Sequence, residues 1–265
     1  MRDIAIGIIG GTGGMGKWFA DFFKKGGYPV LASGRRTGVT IQGMVKKCQV
    51  VVVSVPISAT CEIIERVGPH MGRESLLMDL TSLKGAPVTS MLRSSVSEVI
   101  GLHPLFGPSA VSMAGEKIAL CPVRTERWLS WLKDIFVRNG ADIIETTPER
   151  HDELVALVQV LNHLNSITMG VVLGESGVEL AELRRFATPM FSTKLAIMEK
   201  VFTHNPRLYA EIITLNPNVQ KILDLYGETL SHVKSLVDGG DAEALVELMQ
   251  GKSIWESRKV QVGAL

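Results

Sequence analysis

Ile4-Ala5-Ile6-Gly7-Ile8-Ile9-Gly10-Gly11-Thr12-Gly13-Gly14-Met15-Gly16-Lys17-Trp18-Phe19-Ala20 reads as a buried strand, a glycine loop and the first turns of a helix. Gly11, Gly13 and Gly16 fit G-x-G-x-x-G. In that motif the first glycine allows the tight turn, the second lets the backbone approach a pyrophosphate, and the third lets helix and strand pack closely. The N–H groups and positive dipole end of the helix then face the phosphates. Gly11, Thr12, Gly13, Gly14, Met15 and Gly16 are therefore the expected dinucleotide contacts. A glycine-rich turn without a ligand is the plainer alternative. The position of the loop, after an apolar strand and at the head of an alternating pattern, favours the dinucleotide.

Strands are expected at 4–9, 29–33, 49–55, 75–80, 97–102, 116–121 and 141–146, with helices at 14–26, 57–67, 84–93 and 126–139. Continuous apolar runs such as Val50-Val51-Val52-Val53 suit strands covered on both faces. Strand–helix alternation implies right-handed crossovers and a mostly parallel sheet. At Thr147-Pro148-Glu149 the pattern changes: Thr147 suits an N-cap and Pro148 the first helical position. Only helices are expected beyond it, with breaks near Gly174–Gly177, Thr188-Pro189, Asn205-Pro206, Asn216-Pro217 and Gly239-Gly240. The fold class is α/β, a Rossmann-like doubly wound, mostly parallel sheet (residues 1–147) followed by an all-α second domain (148–265). The second half is apolar enough that its helices should bury a further face, and a homodimer through this domain is the simplest candidate.

With 46% hydrophobic residues the chain has material for a full core. A net charge of +1 with scattered basic residues gives no footprint for nucleic acid. The first apolar run is too short for a membrane span, and no signal-peptide cleavage site follows it, so no membrane partner is expected. The three cysteines, Cys48, Cys61 and Cys121, lack ligand spacing; they argue against a disulfide framework or a zinc site and fit a reducing cytoplasm.

The second strand ends in Leu31-Ala32-Ser33-Gly34-Arg35-Arg36, and no Asp or Glu lies between Asp21 and Glu62. An NAD site usually places an acidic residue there for the ribose 2′-hydroxyl. Ser33, Arg35 and Arg36 instead suit a 2′-phosphate, so NADP is expected and NAD is the alternative. The plainer reading makes the arginines solvated loop charges. Ser54 and Pro56, in the turn after the third strand, are expected to line the cofactor.

Gly101-Leu102-His103-Pro104-Leu105-Phe106-Gly107-Pro108 places an imidazole at a strand end with a backbone fixed by two prolines. This arrangement suits a general base, or it is a rigid turn with an incidental histidine. Asp79-Leu80-Thr81-Ser82-Leu83-Lys84 brings Ser82 and Lys84 to the same sheet edge, where Ser82 is a neighbour for His103 or a helix cap. Further on, Asp152, Gln159, His163 and Ser166 are spaced 7, 4 and 3, which puts them on one helical face. That stripe is a solvent side or the wall of a wet cleft.

The segment 101–108 resembles the His-Pro-Met-Phe-Gly-Pro signature of prephenate dehydrogenases, and Asp79–Lys84 resembles their Asp-x-x-Ser-Val-Lys segment. His151-Asp152, Gln159 with His163, Thr188-Pro189-Met190-Phe191 and Leu208–Ile213 match family patterns in the same order. The resemblance implies NAD(P)-dependent oxidative decarboxylation of prephenate to 4-hydroxyphenylpyruvate and CO2 in tyrosine biosynthesis. It implies His103 as base, Ser82 as hydrogen-bond partner of the 4-hydroxyl or the imidazole, and His163 in substrate binding. Lys84 and Gln159 carry over as weaker substrate-site residues with a share in structure, and His151-Asp152 as mainly structural. Ser192 stands where many members carry a carboxylate-clamping Arg, which leaves Arg184, Arg185 or Lys194 to supply a cation and keeps arogenate as the alternative substrate. Another NADP-dependent two-domain dehydrogenase, or a non-catalytic NADP sensor, would not be expected to carry Ser82 with 101–108.

Overall fold

The computed structural model of the chain describes residues 4–251. Its strands are β1 (Ile6–Ile9), β2 (Val30–Ser33), β3 (Val50–Val53), β4 (Leu76–Asp79), β5 (Glu98–Pro104), β6 (Lys117–Arg124) and β7 (Asp142–Glu145). They form one sheet in the order β2-β1-β3-β4-β5-β6-β7. Every neighbouring pair is parallel except β5 and β6. The chain leaves β1 toward β2 and then crosses to β3 on its other side. The strand order thus reverses beside β1, the place where sheets of this kind bind ligands at their carboxyl edge.

The helices that cover the sheet are α1 (Gly14–Lys25), the short α2 (Ile41–Val45), α3 (Ile57–Val67), α4 (Gly85–Ser94) and α5 (Trp128–Arg138). All seven expected strands and four of these helices fall where the sequence places them; α2, at five residues, is too short to show a period. Two apolar clusters follow from strand alternation. Ile6, Ile8, Val50, Val52, Ile100 and Leu102 pack with Phe19 and Phe23 of α1 and Phe136 of α5. Ile9, Val51, Val53, Leu77 and Val99 pack on the opposite face with Ile64 of α3 and Met91 of α4. His103, an odd position on β5, belongs to this second face.

Beyond the sheet come α6 (Pro148–Val155), a π-helical segment (Ala156–Leu161), α7 (Asn162–Glu175), α8 (Leu180–Phe186), α9 (Pro189–Thr203), α10 (Pro206–Thr214), α11 (Val219–Asp238) and α12 (Ala242–Gly251). Their starts follow the expected breaks. Thr147, Thr188 and Asn205 accept from the N–H groups of Arg150, Phe191 and Leu208, each with proline at the first helical position. The secondary-structure class changes at Thr147, whereas the compact units are Met1–Val219 and Gln220–Leu265. The run Pro148–Glu175 is the one helix among the described residues long and apolar enough to cross a bilayer. Its first turns, however, carry His151 and Asp152, both buried.

A carboxylate on the sheet starts one of the covering helices. Glu98, buried at the head of β5, accepts from the N–H groups of Glu126 (2.8 Å), Arg127 (3.1 Å) and Trp128 (3.0 Å), which α5 leaves unpaired at its N-terminus. Glu98→Ala is expected to lower the unfolding free energy by about 2 kcal/mol, the scale of a lost cap with charge-assisted bonds. Urea denaturation at neutral pH measures it, and a loss below about 0.5 kcal/mol would remove the cap from the stabilising interactions.

Candidate active site

The glycine loop lies at the strand reversal. Gly10, with φ of 81°, makes the tight turn, and a Cβ there would sit 2.0 Å from the Ser54 carbonyl oxygen. This corrects the role expected of Gly11, whose missing Cβ instead leaves room for Ala32 of β2 at 2.7 Å. A Cβ on Gly16 would meet the Gly10 oxygen at 2.3 Å, so glycine is what lets α1 approach β1. The first bond within α1 runs from Lys17 N–H to the Gly13 carbonyl at 2.7 Å. The amides of Gly14, Met15 and Gly16 precede it and are left for an anion. Thr12 packs against Gly34 in the turn after β2.

In that turn Ser33 is buried and Arg35 and Arg36 are exposed, neither in an ion pair among the described residues. The guanidinium groups are what it offers to a phosphate. Ser54 donates its N–H to the Ile9 carbonyl at 2.8 Å and borders the loop, and Pro56 follows it as the residue before α3. The open, glycine-floored cradle and these cations fit a dinucleotide.

The loop after His103 folds back on the same helix. Pro108 lies where a Cβ on Gly14 would come within 3.1 Å, Phe106 packs edge-on against Trp18, and the Trp18 indole donates to the Ala110 carbonyl at 2.7 Å. Segment 101–108 and the glycine loop are therefore one packed assembly.

His103 is buried, and its Nδ1 lies 2.9 Å from Nε2 of His151. Nδ1 of His151 lies 2.8 Å from Oδ1 of Asp152. That carboxylate accepts the backbone N–H of Lys84 at 2.8 Å through Oδ1 and of Gly85 at 2.9 Å through Oδ2. Burial, reinforced by the neighbouring His151 and Lys84, holds His103 well below the usual histidine value of 6.5. His103 is thus a neutral imidazole at neutral pH, the state a base must start from. His151 and Asp152, read from the sequence as mainly structural, are its direct and next partners.

Ser82 is half-buried in the turn between β4 and α4, two residues before Lys84, and its hydroxyl has no hydrogen bond among the described residues. For Lys84 the geometry matches the structural share of its expected role. Its side chain is fully buried, paired with Asp79 and donating to the Leu102 carbonyl at 2.9 Å. A Cβ on Gly101 would come within 3.1 Å of its stem. A buried ammonium fully engaged in this way holds β5 in place beside His103.

Asp152 does not keep the expected common face with His163 and Ser166. The π segment Ala156–Leu161 adds a residue to the turn and slips the helical phase by about 100°. Asp152 turns to Lys84 and Gly85, while His163 packs edge-on against Tyr209 of α10 at 4.7 Å. Gln159 Oε1 and His163 Nδ1 are buried atoms with no hydrogen-bond partner among the described residues, as a polar ligand would require. Burial lowers the pKa of His163, so it offers a hydrogen bond rather than a charge. Ser192 is exposed on the first turn of α9, Arg184 pairs with Glu199 at 3.9 Å, and Arg185 and Lys194 are exposed.

A glycine cradle at the strand reversal, with a buried histidine at the same sheet edge, defines a Rossmann-type nucleotide-binding domain. Comparison with known proteins narrows the class. The family model described as "Prephenate dehydrogenase, nucleotide-binding domain" matches residues 35–145, and "Prephenate dehydrogenase, dimerization domain" matches 147–251. The chain belongs to the prephenate dehydrogenase family. The "Probable arogenate/prephenate dehydrogenase" of Methanocaldococcus jannaschii is 33% identical over 268 residues, covering 94% of this chain and 60% of that protein. The "T-protein" of Haemophilus influenzae is 30% identical over 250 residues, covering 94% and 66%. The chain thus spans less than two thirds of either relative. The crystal structure of prephenate dehydrogenase from A. aeolicus, in complex with hydroxyphenyl propionate and NAD+, shares the fold with a TM-score of 0.75 at 20% identity, covering 95% of this chain and 96% of that one.

Lys84→Met leaves the Asp79 carboxylate buried and unpaired. It is expected to cost about 3–5 kcal/mol of stability, while Lys84→Met combined with Asp79→Leu recovers most of the loss. Chemical denaturation of the single and double variants measures the difference.

Proposed function

We propose that this chain catalyses the NAD(P)-dependent oxidative decarboxylation of prephenate to 4-hydroxyphenylpyruvate and CO2. The observation that carries this reading is the buried, neutral His103 at the sheet edge beside the glycine cradle. When bound, the nicotinamide supplies the acceptor for the hydride from C4. His103 takes the proton of the 4-hydroxyl, and Ser82 holds that hydroxyl. As the ring carbon becomes a carbonyl it draws electrons from C1, whose carboxylate leaves as CO2, and the ring becomes aromatic. Gln159 and His163, with buried polar atoms otherwise unpaired, orient the remainder of the substrate. With Ser192 in place of a cation, the clamp on the side-chain carboxylate is weaker in charge, and arogenate is the second substrate to test. Arg35 and Arg36 favour NADP. A homodimer is supported by the family's dimerization domain and by exposed Val172, Leu180, Phe186 and Met190 on α7–α9.

Absorbance at 340 nm with prephenate or arogenate and NADP or NAD tests the reaction. A rise with prephenate and a faster rate with NADP are expected. A rise with arogenate alone would change the substrate, and none in any pairing would overturn the reading. His103→Asn is expected to bind cofactor normally and lose about 10²–10⁴-fold in turnover. Because the pKa of His103 lies below 6.5, protonation of His103 itself removes the base on acidification beneath that value. In the wild type kcat/KM should be level across neutrality and fall as pH drops below the ordinary histidine range. A limb centred above 6.5 would contradict the assignment. Arg35→Ala with Arg36→Ala is expected to weaken NADP far more than NAD; equal losses would remove the 2′-phosphate contact.

A further inference from the structure

We propose that His151 is a positioning residue that holds His103 as the Nδ1–H tautomer and so leaves its Nε2 lone pair as the base. The proposal rests on the reading of His103 as the base. The direction of the hydrogen bonds follows from the far end of the chain of contacts. The Asp152 carboxylate is an acceptor only, and two backbone N–H groups already point at it from Lys84 and Gly85. His151 must therefore donate to it from Nδ1. With a single proton, on Nδ1, His151 presents Nε2 as an acceptor, and the hydrogen that then fits the 2.9 Å contact is one on Nδ1 of His103. Nε2 of His103 is left without a proton.

The anchoring is as rigid as its parts. Asp152 is fixed on two backbone amides from a different element, and its own carbonyl accepts from the Asn216 side chain at 3.0 Å. His103, His151 and Asp152 are all buried, so no water competes for the contacts. A wrong tautomer would cost the reaction its base without moving an atom of the backbone, which is the known consequence of misprotonation in a hydrogen-bonded catalytic chain.

The test has two readouts. In ¹⁵N-histidine-labelled wild-type protein without substrate, two-bond ¹H–¹⁵N spectra should show His103 with a protonated Nδ1 and an unprotonated Nε2. The Nε2–H tautomer, which a doubly protonated His151 would impose, overturns the proposal. Turnover is then compared for His151→Leu, which has no acceptor, and His151→Gln, whose side-chain carbonyl can take the same hydrogen. The Leu variant should lose about 10²-fold in kcat, within the range of a misplaced general base, with KM and cofactor affinity nearly unchanged. The Gln variant should recover to within about 10-fold of wild type. Wild-type kcat in His151→Leu, or equal losses in both folded variants, overturns the proposal. If neither variant folds, the wild-type spectrum decides alone. Failure of the wild type to oxidise prephenate or arogenate would remove the base reading and leave the tautomer measurement standing separately.

Discussion

One carboxylate joins the parts of this site. Asp152, on the first helix after the sheet, accepts two backbone N–H groups from the turn that begins α4 and a third hydrogen from His151. It binds the start of the helical region to the sheet edge and, through His151, to the strand that carries His103. Without that acceptor two buried donors and the part-buried Gly85 N–H would lack a partner, at roughly 1–3 kcal/mol for each buried one. Lys84 complements it from the same turn, with its backbone on Asp152 and its ammonium on Asp79 and the Leu102 carbonyl. Stability and the orientation of the reactive imidazole thus depend on the same few bonds.

The architecture was largely legible in the chain because it rests on local signals. Apolar runs bounded by glycine and polar turns located the seven strands, and threonine or asparagine before proline located the starts of α6, α9 and α10. Two things escaped. The five-residue α2 is shorter than the window over which periodicity can be seen. Glu98, read as part of a strand, caps a helix almost thirty residues away, a pairing that depends on tertiary contact.

At the site, residue types that must be near a ligand were readable, and the connections among them were not. His103, Ser82 and the glycine loop stood out by position at strand ends. Lys84 was read as a weaker substrate-site residue with a share in structure, and which groups it would pair with was not legible: its side chain is buried under Gly101 and paired with Asp79. His151 and Asp152 looked like the polar start of a helix, because nothing in a helical pattern reveals that its first turn abuts His103. The shared stripe of Asp152 and His163 was sound arithmetic for a regular helix, and it failed because the winding changes at Ala156.

That change of winding has a consequence for how the chain can vary. π-helical turns are rare and occur mostly as single-turn bulges inside α-helices, so removing one residue from Ala156–Leu161 would restore regular winding. The same deletion would rotate everything that follows by about a quarter turn relative to Asp152 and carry His163 away from Tyr209. Regular winding and the present alignment of His163 with Tyr209 are alternatives at this position. Length here is under a constraint that single substitutions would not reveal: apart from Gln159, what the segment supplies to the site is its number of residues.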